Sequence, residues 1–159
     1  MYIIKILGAA LIVFAGFLCG RYMSENLALR CRTLENIIKI ALFLKEQIVC
    51  FRYEIEVIYK NLIDSGFDED FVLNLKNTNS QKEYLKDFDF LTQKDKGLSY
   101  ELFSGVGMRD AKGEEENILV YIKLINEQLE FAKQEYAKKD KLYKNVGTFL
   151  GIGLAIFLI

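Results

Sequence analysis

The chain has 159 residues, 21 Lys and Arg against 22 Asp and Glu, a formal net charge of −1 and 52% hydrophobic residues. That balance offers no basic surface for nucleic acid, and the absence of histidine removes the commonest general base, transition-metal ligand and pH switch together. Without proline, long helices meet no obligatory break, and three cysteines (Cys19, Cys31, Cys50) with no CxxC pair point to a reduced compartment rather than a disulfide framework.

Residues 1–20 carry one charge, Lys5, and predict an N-terminal transmembrane helix. About 20 residues at ~1.5 Å each cross a hydrocarbon core of ~30 Å, with Lys5 expected to snorkel to the surface. A signal peptide is the rival reading, but Phe17 and Leu18 precede Cys19 where small residues would be needed. Residues 146–159 carry no charge and predict a second, shorter membrane segment of ~21 Å, which calls for local thinning or ends within the far leaflet.

Gly16 and Gly20 close the first segment and Gly147 and Gly151 open the last, so an antiparallel hairpin would set two GxxxG pairs at one depth for close packing. Arg21, Arg30 and Arg32 follow the first segment, and Lys133, Lys138, Lys139, Lys141 and Lys144 precede the last. Both basic sets lie on the side of the middle region, which places residues 21–145 in the cytoplasm. The lysines are read first as a contact with anionic lipid, and second as a protein-binding run.

From Leu34, apolar residues step by threes and fours through Ile37, Ala41, Leu44, Ile48, Phe51, Ile55 and Ile58 to Leu62, predicting one continuous helix. Ile38, Leu42 and Val49 widen its stripe to that of a bundle helix, and Gly66 is placed to end it in a left-handed conformation. A short helix is expected from Asp68 to Lys76, a turn at 77–80 whose Ser80 caps a helix through Tyr84, Leu85 and Phe88, and another helix capped by Thr92 that carries Leu98, Leu102 and Phe103 inward. Ile118, Ile122, Ile125, Leu129, Ala132, Tyr136 and Tyr143 predict a last long helix running unbroken into the terminal apolar segment. The fold class is therefore all-α, a bundle of five or six helices with hydrophobic membrane segments at both ends.

Acidic groups at 68–70, at Asp87 and Asp89, and at 114–116 sit where helices begin or end, a placement that the helix dipole and solvation explain. Gly105 and Gly107 lack the Gly-Lys-Ser/Thr that would make a phosphate loop. No enzyme, cofactor, metal or small-molecule substrate is expected. The least generic stretch is 103–114, where Gly105, Gly107 and Gly113 surround Asp110: a tight junction whose Asp can accept backbone N–H bonds and start the next helix.

That junction, with Gly107, Asp110 and Gly113 at fixed spacing, resembles the stage III sporulation protein AB family. So do the run from Leu91 to Lys96 before it, the close from Lys141 to Gly147 and the opening from Lys5 to Ala9. The resemblance covers the whole chain in layout and the C-terminal seventy residues or so in motif. It implies a non-enzymatic membrane component of the channel between mother cell and forespore, located in the mother-cell membrane facing the forespore. Because the family resembles the platform protein of type II secretion and type IV pilus machines, it also implies a cytoplasmic domain that docks a secretion-type ATPase, stage III sporulation protein AA, beside other channel subunits. A homo-oligomer is left open. The alternatives are a membrane-anchored helical adaptor of an unrelated complex and a small membrane enzyme or transporter subunit using buried carboxylates.

On this reading Gly107, Arg109, Asp110, Gly113 and Glu114 form the partner contact. The family pattern has a small hydroxyl residue where this chain has Arg109, and Gln where it has Glu114, so two charges enter the turn.

Overall fold

The structure, a computed structural model, describes residues 2–51, 54–76, 81 and 83–158. The expected turn at 77–80 with its Ser80 cap, and the side chain of Lys5, lie outside what is described. Five α-helices follow one another among the described residues: α1 (Tyr2–Glu46), α2 (Ile55–Asp64), α3 (Glu69–Lys76), α4 (Gln93–Ser104) and α5 (Ala111–Leu158). A π-helical turn, Gln47–Phe51, follows α1, and a 3-10 turn, Leu85–Asp87, precedes α4.

The chain divides into two compact units, Met1–Cys31 with Phe131–Ile159, and Arg32–Glu130. The expected soluble body began at residue 21 and ran to 145. The unit Arg32–Glu130 lies within those bounds.

In the unit Arg32–Glu130 the core is apolar. Leu34, Ile37, Ala41 and Leu44 of α1, Leu62 of α2, Val72 of α3, Leu102 of α4, and Ile118 and Ile125 of α5 are essentially inaccessible. Burying such a side chain contributes roughly 1.5–3 kcal/mol, and the three-and-four spacing gives each helix one continuous stripe to bury. α3 packs against α2 and α4.

The predicted helix from Leu34 to Leu62 is corrected. α1 gives way to the π turn at Gln47, and Glu54 is extended (φ −62°, ψ 146°) before α2 starts. No Pro or Gly marks this break. The β-branched Ile48 and Val49, which hold to a helix less strongly than their neighbours, lie within this π turn. The break frees α2 to return Ile58 and Leu62 to the core. Asn61 Nδ2 donates to Gln47 Oε1 at 3.2 Å across it.

The expected helix through Phe88 tightens instead to the 3-10 turn Leu85–Asp87, with Phe88 beyond its end, but the local signals at Gly66, Asp68, Thr92 and Asp110 hold. Gly66 has φ +88°; its N–H donates to Ile63 O (2.9 Å) and that of Phe67 to Leu62 O (3.3 Å), the Schellman pattern. Asp68 Oδ1 accepts from Phe71 N at 2.8 Å and opens α3. Thr92 and Asp95 form a capping box at α4, whose Leu102 and Phe103 are buried while Leu98 is half-buried. α5 runs without interruption into the apolar terminus, as its pattern predicted.

Candidate functional site: the glycine turn and the glycine-paired hairpin

Between α4 and α5 the chain turns through Gly107, whose φ of +87° favours a residue without Cβ. The turn is organised by one carboxylate. Glu114, 1% exposed, accepts at Oε1 from the backbone N–H groups of Gly107 (2.8 Å), Met108 (2.9 Å) and Arg109 (3.1 Å). Three backbone donors converge on this one oxygen, so the side chain constrains the loop from within.

Asp110 starts α5. Its carbonyl accepts from Glu114 N (2.9 Å) and its Oδ1 from Gly113 N (3.3 Å). A Cβ at Gly113 would stand 2.7 Å from Asp110 Oδ1, so the third glycine makes room for the cap. Arg109 Nη1 donates back to Gly105 O at 3.3 Å, tying the turn to the end of α4.

Of the residues expected to contact a partner, the turn thus presents Gly107, Arg109 and Asp110 outward, keeps Gly113 half-buried, and points Glu114 inside. The role of Glu114 is to accept three amides, and a Gln carbonyl oxygen could accept in the same place. Met108, 77% exposed at the tip, was not singled out from sequence. Its only signal was an apolar residue between two glycines and a charge.

In the unit Met1–Cys31 with Phe131–Ile159, α1 and α5 approach through their glycines. A Cβ on Gly16 would stand 2.5 Å from Gly147 O, and one on Gly147 2.5 Å from Gly16 O. Gly20 faces the Tyr143 carbonyl, and a Cβ on Gly151 would lie 2.9 Å from Val13 Cα. Backbone therefore lies against backbone over two helical turns, the geometry that small residues at four-residue spacing permit.

Polar rungs continue the contact. Ser24 Oγ donates to Asp140 Oδ1, and Arg30, 7% exposed, pairs with Glu135 at 3.1 Å. Lys139 pairs with Glu135 and Lys144 with Asp140, each at 2.6 Å. The hydrogen bonds from Lys144 and then Ser24 hold the Asp140 carboxyl below its usual range, while the bond that Lys139 donates to Glu135 holds the Lys139 ammonium above its own. Two lysines of the expected lipid-facing run, and Arg30 of the other basic set, are thus engaged within the hairpin. The face was readable: Ser24 follows Gly16 and Gly20 at the same step of four, and Asp140 lies seven residues before Gly147.

Outside the glycine seam this unit shows apolar side chains. Leu7, Leu11, Phe14, Phe149, Leu150, Leu154 and Ile156 are each more than half exposed. Only one helical stretch, Leu7–Phe51, is long and apolar enough by length and composition to cross a membrane, among the described residues. No curated protein matches the chain, and no solved structure does. A family model does match, over residues 5–66 and 77–159, with the description Stage III sporulation protein AB. Covering nearly all of the chain, including both the glycine turn and the paired-glycine helices, that match shows that this protein belongs to the stage III sporulation protein AB family.

Proposed function

We propose that this sporulation protein is a non-enzymatic membrane platform, anchored by a helical hairpin, whose helical body docks a secretion-type ATPase and other subunits of a channel between mother cell and forespore. Family membership supports the sporulation role. The broad apolar exterior of the glycine-paired unit supports its immersion in lipid, with the terminal segment of α5 accompanying that of α1. In this reading the membrane is the mother-cell membrane that faces the forespore, and the helical body lies in the mother-cell cytoplasm.

The observation that carries the docking role is the 107–114 turn. Met108, Arg109 and Asp110 are exposed on a loop whose backbone is held from within by Glu114. A preorganised loop loses little conformational entropy on association, which is how a small surface becomes a firm contact.

The test is co-purification of the stage III sporulation protein AA ATPase with this protein from membranes of sporulating cells, alongside an Arg109→Ala/Asp110→Ala double variant. The wild type is expected to retain the ATPase and the double variant to lose it while staying in the membrane fraction. Equal retention would move the contact off the turn. Absence of the ATPase from both, even after chemical cross-linking, would overturn the docking role.

A further inference from the structure

A second surface of the unit Arg32–Glu130 shares no lining residue with the turn. A cavity of about 640 Å³ opens between the polar side of α1, at Thr33, Asn36 and Lys39, and an aromatic wall made by Phe71, Tyr84 and Phe88. The wall is stacked edge to face. Phe71 lies 6.2 Å from both Tyr84 and Phe88, Tyr84 5.1 Å from Phe88, and Phe88 5.4 Å from Phe90, measured between ring centroids. Phe71, Tyr84 and Phe88 are only half-buried, so this cluster closes nothing by itself and leaves ring surface facing solvent.

Charge surrounds the rings on one side. Asp68 lines the cavity, and the Tyr84 phenol, pushed above its usual range first by burial, is pushed further by Asp68, Asp70 and Asp87 in turn. Asp68 thus shares the cavity lining with Tyr84, and the charges of Asp70 and Asp87 act on the same phenol. Lys39 on the α1 wall supplies the opposing charge. Ring faces carry negative potential and attract cations within ~6 Å of the centroid, and carboxylates at the rim add to that attraction. The same rings accept the methylene stem of a long cationic side chain.

We propose that this groove is a docking site for a basic segment of a partner protein, one that lays an Arg or Lys over the Tyr84 and Phe88 rings with its charge toward Asp68, Asp70 and Asp87. Charge complementarity decides the occupant. An acidic or purely apolar segment would leave the carboxylates unpaired, and placing Lys39 opposite them gives the bound segment a direction.

The experiment uses the full-length protein in lipid nanodiscs and two fluorescent amphipathic helical peptides, one built from Leu and Lys and the other from Leu and Glu, read by anisotropy. The Leu/Lys peptide is expected to bind, the Leu/Glu peptide not to, and added salt to weaken the interaction. Asp68→Asn with Asp87→Asn is expected to lower affinity by about tenfold or more, and Tyr84→Leu to lower it at constant salt dependence. Glu127→Gln, a change to an exposed acid on α5 outside the groove lining, serves as the control for non-specific charge. Equal loss with the control, or equal binding of both peptides, would overturn the proposal. So would concentration-dependent self-association abolished by Tyr84→Leu, which would assign the groove to a second copy of this chain. Circular dichroism of each variant separates a lost site from a lost fold, and none of these readouts depends on the 107–114 turn.

Discussion

The two units of this protein are built on opposite rules. In the unit Arg32–Glu130, apolar side chains are inside, and Leu34, Leu44, Leu62 and Ile125 are wholly inaccessible. In the hairpin unit the two helices approach backbone to backbone at Gly16, Gly20, Gly147 and Gly151, while Phe14, Phe149 and Ile156 face outward. In the proposed function the difference follows from the solvent each unit meets, lipid for the hairpin and water for the body. Water drives apolar groups together, whereas lipid does not, and helices in lipid associate through close van der Waals approach and a few polar pairs.

The largest effect expected from this contrast is a deletion in the body. Leu62→Ala should cost about 2–5 kcal/mol, while Phe149→Ala, at a 71% exposed position, should leave the melt of the body unchanged. Parallel urea titrations of the two variants in detergent measure this, and equal losses would erase the proposed division of rules.

Smaller, and confined to the hairpin, is the effect of Gly147→Leu. Its Cβ alone would collide with the Gly16 carbonyl, so the helices must part, at a cost of roughly 1–3 kcal/mol if overpacking in lipid follows that in cores. Spin labels at Tyr22 and Leu142 should report a longer separation in the variant, with the body unaltered. An unchanged distance would mean that the seam is not set by its glycines.

The smallest effects are in pH, and they fall at opposite ends of the scale for the two units. Tyr59, buried in the body, has its phenol pushed up to about 12 by burial and then by Glu56. With the folded value raised, its contribution is complete below the unfolded value of about 10 and is lost as pH rises from there through about 12; Tyr59→Phe should flatten that limb of a denaturation series. Asp140 is the reverse case. Its folded value lies below the ordinary one, so the Ser24–Asp140–Lys144 rung is present above about pH 4 and weakens as pH falls below it. Asp140→Asn should remove that acid response from the spin-label distance; the same response in both proteins would locate it elsewhere.

Where the chain's own local chemistry decides a feature, it could be read in advance. The capping box at Thr92, the left-handed Gly66, the Asp110 start of α5 and the three-and-four stripes all rest on contacts within a few residues. The facing glycines were legible for a related reason, because a step of four places both members on one face. The interruption before Ile55 was not, since no Pro or Gly lies near it, and it lets α2 return Ile58 and Leu62 to the core.

Glu114 shows the same limit at the glycine turn. As a sequence it was one of three acids at a helix start, able to favour the dipole or to meet a partner. Its inward direction, onto three amides five to seven residues before it, depends on how the turn closes. By itself, then, the sequence determined the all-helical class, the caps at Gly66, Thr92 and Asp110, the apolar stripes, the apolar ends and the family, because these are carried by spacing and composition. Only the tertiary structure decided where α1 stops, which charges pair across the hairpin, and which members of the turn face outward, because each is a choice among partners distant along the chain.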